Sequence, residues 1–194
     1  NYKTGKMDKT IIGLDNPKLK EISGIDEYSF NGDATLLIIG ANTEDIYRHS
    51  VKGDYYVYNF KTESLTKIPG EGNVRLPDFS PDGKKVAYVR DNNMYVFDMT
   101  SGKETAISTD GEWNKIIYGT MDWVYEEEFG ITKGFEWSPD GKYIAYYRMD
   151  ESKVKEFTLT YHGELYPEEY KYKYPKSGED NSLVDIYVYD VAAG

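Results

Sequence analysis

Along the chain, short apolar runs alternate with polar, turn-forming clusters. Val86-Ala87-Tyr88-Val89 is followed by Asp91-Asn92-Asn93, then by Met94-Tyr95-Val96-Phe97-Asp98 and Thr100-Ser101-Gly102-Lys103-Glu104. Runs of four to six residues rich in Val, Ile, Tyr and Phe, bounded by Asp, Asn, Ser and Gly, predict strands joined by tight turns. The same strand–turn unit recurs as Tyr55-Tyr56-Val57-Tyr58-Asn59-Phe60 before Lys61-Thr62-Glu63-Ser64, and as Asp185-Ile186-Tyr187-Val188-Tyr189-Asp190 near the end. The opening Asn1-Tyr2-Lys3-Thr4-Gly5-Lys6 fits the same slot and suggests that a further portion precedes it. One stretch, Trp123 to Phe129, suits a short helix instead.

A longer period underlies these runs. Phe79-Ser80-Pro81-Asp82-Gly83-Lys84-Lys85-Val86-Ala87-Tyr88 returns as Trp137-Ser138-Pro139-Asp140-Gly141-Lys142-Tyr143-Ile144-Ala145-Tyr146. A weaker copy is Tyr28-Ser29-Phe30-Asn31-Gly32-Asp33-Ala34-Thr35-Leu36-Leu37. Pro presets φ for the first turn position, and Asp-Gly supplies a residue that tolerates φ > 0. Strands at this spacing predict an all-β fold of propeller blades. A β-sandwich is the other arrangement open to such strands, and the recurring Ser-Pro-Asp-Gly turn favours blades. Strand–turn closures near Phe60, Asp98 and Asp190 divide the chain into about three four-stranded antiparallel blades, at 7–60, 61–98 and 99–194. The last carries an inserted arm at about 151–181. Three blades do not close a ring, so the piece is expected to belong to a larger propeller or to self-associate through its exposed edges.

Composition narrows the function. Tyr accounts for 20 of the 194 residues, which suits half-buried strands. The net charge of −11 lacks the basic footprint of a nucleic-acid binder and suits a cationic ligand or a peptide amine. Without cysteine there are no disulfides or thiolate metal sites, and no apolar run is long enough for a membrane span. Asp82, Gly83, Asp140 and Gly141 serve turns rather than a calcium loop. There is no Gly-x-Ser-x-Gly elbow, P-loop, zinc motif or dinucleotide fingerprint. The only two histidines, His49 and His162, lie in no triad context. No cofactor is expected, and the chain alone should be inactive as a hydrolase.

Three segments carry a family resemblance. Asp122-Trp123-Val124-Tyr125-Glu126-Glu127-Glu128-Phe129, shortly before Trp137-Ser138-Pro139-Asp140-Gly141, resembles the dipeptidyl peptidase IV family. So do Tyr47-Arg48-His49-Ser50 and Tyr174-Pro175-Lys176-Ser177-Gly178 with Asn181, in the same order. The continuation Phe129-Gly130-Ile131-Thr132-Lys133-Gly134 is similar to versions from Bacteroides-type bacteria. The resemblance implies an N-terminal propeller of about eight blades followed by an α/β-hydrolase domain that holds a Ser, Asp, His triad. It implies that Glu127 and Glu128 bind the free N-terminal ammonium of a peptide, so that a dipeptide ending in Pro or Ala is released. Arg48 matches an arginine that contacts the substrate's terminal region. Glu126 is given no part in binding, while Trp123 and Tyr125 are expected to pack beneath the motif. A periplasmic or envelope location is implied in the same way. The chemistry is sound, because two carboxylates satisfy two ammonium donors that an internal amide does not offer. A non-catalytic propeller for binding or scaffolding is the alternative, and such a module has no use for an anionic pair facing an arginine. A related oligopeptidase propeller would lack the paired glutamates.

Overall fold

The computed structural model describes residues 3–7, 10, 12, 13 and 15–193. The strand expected at Asn1 and Tyr2 lies outside the described residues. The rest is built almost wholly of antiparallel strands. Strands β1 (Glu27–Phe30), β2 (Leu36–Asp45), β3 (Val51–Asn59) and β4 (Ser64–Lys67) pair in sequence order as one sheet. A second sheet repeats the order with β5 (Val74–Phe79), β6 (Lys85–Arg90), β7 (Asn93–Asp98) and β8 (Lys103–Ala106). These are propeller blades. The two touch edge to edge through one residue pair, Gly53 opposite Val74. A Cβ on Gly53 would lie 2.9 Å from the carbonyl oxygen of Ala41 in β2, so glycine is what lets β2 and β3 of the first blade run this close there.

The third blade departs from the pattern. Its first strand position is shared by β9 (Ile116–Tyr118) and β10 (Phe135–Trp137). Both pair with β11 (Tyr143–Asp150), β9 at Arg148 to Asp150 and β10 at Ile144 to Tyr146. Between them runs an excursion that contains α1 (Trp123–Phe129), the helix expected from sequence. The excursion is pinched shut at its base, where Gly134 N–H donates to the Gly119 carbonyl at 3.0 Å and Thr120 bridges to Lys133. Beyond β11, a two-stranded arm of β12 (Glu156–Tyr161) and β13 (Glu168–Lys173) precedes β14 (Leu183–Asp190), which returns to pair with β11. Among the described residues, the outer edge of β14 has no strand partner.

The turns explain the repeat. In Ser80-Pro81-Asp82-Gly83, the Asp82 carboxylate accepts from Ser80 Oγ (2.7 Å) and Lys84 N–H (3.0 Å), with Gly83 at φ +68°. Asp140 does the same with Ser138 Oγ (2.7 Å) and Lys142 N–H (3.1 Å), and Gly141 sits at φ +70°. The weak copy keeps the geometry with different residues. Asp33 accepts from Thr35 N–H (3.1 Å), and Ala34 takes φ +56° where the others have glycine. A second turn closes each third strand. Asn59, Asp98 and Asp190 each accept, through Oδ1, from the N–H groups two and three residues on. In the first two blades that turn leads straight into β4 and β8. These strands lie just beyond the closures at Phe60 and Asp98, and they pair back onto β3 and β7.

Blades pack face to face. Ile38, Tyr55, Val57, Ile68, Val74, Val86, Tyr88 and Phe97 fill the space between the first and second, and Ala87, Val89, Met94, Val96, Tyr118, Phe135 and Ile144 that between the second and third. Polar ties fix the second junction. Lys133 Nζ reaches Asp78 Oδ2 (2.8 Å), and the Trp137 indole donates to the Asp78 carbonyl (3.3 Å). No helix among the described residues is long and apolar enough to cross a membrane.

Candidate functional site

Helix α1 has seven residues, too few to be stable alone, so its ends and one face must hold it. At its start the Asp122 carboxylate caps the Tyr125 N–H (2.9 Å) and accepts from Ser182 Oγ (2.5 Å), which ties the helix to the chain leading into β14. At its end Gly130 takes φ +65°. Its N–H bonds the Glu126 carbonyl, and the Ile131 N–H bonds that of Tyr125, both at 3.1 Å. The Trp123 ring lies 4.3 Å from Tyr174 and 6.2 Å from Tyr172 of the arm. Tyr172 also meets Tyr47, 6.1 Å away, in the loop joining β2 to β3. Aromatic contacts therefore bring the three motif segments to one place.

Successive residues of a helix point about 100° apart, so the three glutamates look in three directions. Glu126 points inward and is only 1% exposed. Its Oε1 accepts the His49 backbone N–H at 2.7 Å, across 77 residues of sequence. Sequence reasoning assigned it no part in binding, and the structure adds a positioning contact: Glu126 clamps the loop that carries Arg48. The signal available was its four-residue spacing from Asp122, which puts both on one helix face. With Trp123, Val124, Tyr125 and Phe129 spread around the helix, the sequence does not show which face is buried.

Glu127 emerges beside that loop. Its Oε2 lies 3.4 Å from Arg48 Nε, and its side chain is 14% exposed against 74% for Arg48. Both line an open cleft of about 490 Å³ with Asp45, Tyr47, Trp123 and residues of the arm. Glu128 is exposed and lines a separate cleft of about 720 Å³, walled by the Tyr174-Pro175-Lys176-Ser177-Gly178 segment and Asn181. Trp123 borders both clefts. The structure thus joins Arg48 to Glu127 directly and sets Glu128 across the indole from them.

Beneath the site lies a buried charged layer that sequence reasoning did not find. Arg75 at the start of β5 is 6% exposed, and burial pushes its guanidinium below its ordinary value, against the pull of neighbours that include Tyr47 and Glu126. Glu151, at the end of β11, is 2% exposed. Burial, with the Asp122 charge adding to it, raises its carboxyl to about 7 from the ordinary 4.5. The folded protein therefore holds this proton more tightly than the unfolded chain does. Its contribution to stability is complete below about pH 4.5 and disappears as pH rises through about 7. Unfolding titrated from pH 5 to 8 should lose about 2.5 kcal/mol over that range, and Glu151→Gln should flatten the slope. An unchanged slope in that variant would assign the pH dependence to other groups.

Comparison with known proteins identifies the family. Residues 31–194 match the family model described as the dipeptidyl peptidase IV (DPP IV) N-terminal region. Dipeptidyl aminopeptidase B of Saccharomyces cerevisiae is 38% identical over 176 residues, which is 88% of this chain and 21% of that protein. The probable dipeptidyl-aminopeptidase B of Podospora anserina is 38% identical over 82% of the chain and 19% of its own length. Among solved structures, dipeptidyl peptidase 4 of Porphyromonas gingivalis superposes over the whole chain with a TM-score of 0.91 at 38% identity, covering 28% of that protein. A putative dipeptidyl aminopeptidase IV from Bacteroides ovatus superposes over 79% of the chain with a TM-score of 0.56 at 28% identity. The chain spans 19% to 28% of the length of these relatives. On these matches the chain belongs to the N-terminal region of the dipeptidyl peptidase IV family.

Proposed function

We propose that this chain is the substrate-gating propeller portion of a dipeptidyl peptidase IV-like serine exopeptidase, and that it receives the free N-terminus of a peptide while a separate hydrolase domain cuts the chain. The observation that carries this reading is the half-buried Glu127 carboxylate, paired with Arg48 from another blade in an open cleft. A peptide ammonium entering there finds a carboxylate already desolvated on one side and oriented, so little ordering cost remains. Arg48 offers donors to the carbonyl that follows the amine, while Glu128 stands in the neighbouring cleft on the far side of Trp123. An N-acylated peptide brings no charge to Glu127 and forgoes a charge-assisted contact worth about 1.5–3 kcal/mol. The described part of this chain holds the recognition half only, so alone it should release no product. The periplasm or cell envelope is where we place the parent protein.

The test uses the full-length parent peptidase and a chromogenic Ala-Pro substrate, free or N-acetylated. Free substrate is expected to be cleaved with kcat/KM at least about 100-fold higher, the equivalent of about 3 kcal/mol. Equal rates would remove amine recognition from the site and leave a binding or scaffolding propeller as the better description.

A further inference from the structure

Glu151 stands where β11 ends and the chain turns towards the arm. Its backbone N–H donates to the Lys115 carbonyl (2.7 Å), just ahead of β9, and its carbonyl accepts the Val154 N–H (2.9 Å). The backbone is pinned on both sides, and the side chain is buried with Oε1 unpartnered within the chain. Charged groups face it from several elements. Asp122, the cap of α1, acts on it most strongly, followed by Lys173 of β13, Arg75 of β5 and Asp150 of β11. Tyr47, in the loop joining β2 to β3, senses it from the other side. Asp122 is itself buried and uses both oxygens as acceptors, Oδ1 from the Tyr125 N–H and Oδ2 from Ser182 Oγ. When two buried carboxyls act on each other, the one held by donors keeps the charge and the other keeps a proton. In the folded protein Glu151 therefore stays protonated up to about pH 7.

We propose that Glu151 is a positioning residue of the amine site, which holds helix α1 and the Arg48 loop in place while it carries its proton and releases them when it loses it. This rests on the amine-binding reading above. A charge on Glu151 pushes on Asp122, whose cap sets the start of the helix that carries Glu127. It also draws on Arg75, which otherwise offsets Glu126, the acceptor that clamps the Arg48 loop. Both halves of the Glu127–Arg48 pair thus answer to one proton. The same charge attracts an ammonium directly, but Lys173 and Arg75 counter that attraction, and the push on Asp122 is stronger than either cation's pull.

The experiment measures KM and kcat of the full-length parent peptidase for a free-amine Ala-Pro chromogenic substrate from about pH 5.5 to about pH 8. The unmodified protein is compared with Glu151→Gln, which keeps the shape of the protonated acid and cannot ionise. The substrate amine and the hydrolase groups titrate alike in both, so the ratio of the two KM values isolates Glu151. The unmodified protein should match the variant at the acid end and show a KM about fivefold higher at the alkaline end, with the ratio of kcat values constant. A coupling of that size is within the range for side chains that touch no ligand. Ser182→Ala, which frees one side of the Asp122 cap, should widen the alkaline gap and should have no pH-dependent effect when combined with Glu151→Gln. A KM ratio that stays flat, or that falls below one as pH rises, overturns the inference alone if the free amine is still required. A Glu151→Gln protein that does not fold overturns it as well, since an amide should replace a neutral acid. Equal cleavage of free and N-acetylated substrate sinks the amine reading and this inference with it.

Discussion

In the full-length peptidase, Glu127→Ala is expected to lower kcat/KM for a free-amine dipeptide substrate by about 100- to 1,000-fold. The loss follows from position rather than from charge counting. Glu127 is one of many acidic residues in a chain of net charge −11, and most of them are solvated. Its side chain, however, is 14% exposed and fixed on a helix capped at both ends, with Arg48 on one side only. An ammonium that meets such a carboxylate gains a charge-assisted hydrogen bond in a partly dry site, worth several times an exposed surface pair. Truncating one partner of such a pair costs about 2–5 kcal/mol, and the middle of that span, about 3–4 kcal/mol, gives the stated range of rates. Glu127→Gln keeps the shape and the acceptor but not the charge, and should recover little. The decisive comparison is with N-acetylated substrate, whose slow cleavage should be nearly the same in both proteins. If Glu127→Ala stays within about threefold of the unmodified protein on the free amine, another group holds the terminus.

How much of this was readable beforehand depends on the range of the interaction. The Ser-Pro-Asp-Gly turns were legible because their hydrogen bonds close within five residues. Ser80, Asp82 and Gly83 carry all the information that the turn needs. The helix at Trp123–Phe129 was legible for the same reason, with Asp122 and Gly130 marking its ends. The weak copy at Asn31 was recognisable only by its place in the repeat, since Ala34 adopts a left-handed conformation that its own chemistry does not favour. The sharing of one strand position by β9 and β10 could not be read, because pairing of both with β11 is a long-range fact. The candidate site divided along the same line. Arg48 and Glu127 were singled out through motifs, and the structure brings them to 3.4 Å. The direction in which each glutamate points depends on the buried face of α1, which is set by Tyr172 and Tyr174 some fifty residues away. Arg75 and Glu151 resemble ordinary surface charges in sequence and become buried only when blade and arm close over them.

Glu126 is where fold and site meet, and its removal should be the most damaging single change to stability. Glu126→Ala leaves the His49 N–H without its acceptor and takes away a negative charge that offsets buried Arg75. Breaking a buried charged contact from one side costs about 3–5 kcal/mol, because the partner remains desolvated. With urea slopes of about 1–3 kcal/mol per M, the unfolding midpoint should fall by about 1 M or more. Glu126→Gln can still accept from His49, so it should lose distinctly less. Arg75→Met alone should also destabilise, by leaving acidic neighbours without their cation. The two effects are not independent, however. The double variant Glu126→Gln, Arg75→Met removes both charges together and should be more stable than the sum of the single losses allows, by about 1 kcal/mol or more. Strict additivity would show that the two groups do not sense each other. A midpoint unchanged in Glu126→Ala would mean that the His49 contact contributes nothing, and the loop bearing Arg48 would then be held by the Arg48–Glu127 pair, by Tyr170 and by Tyr47 with its aromatic neighbours.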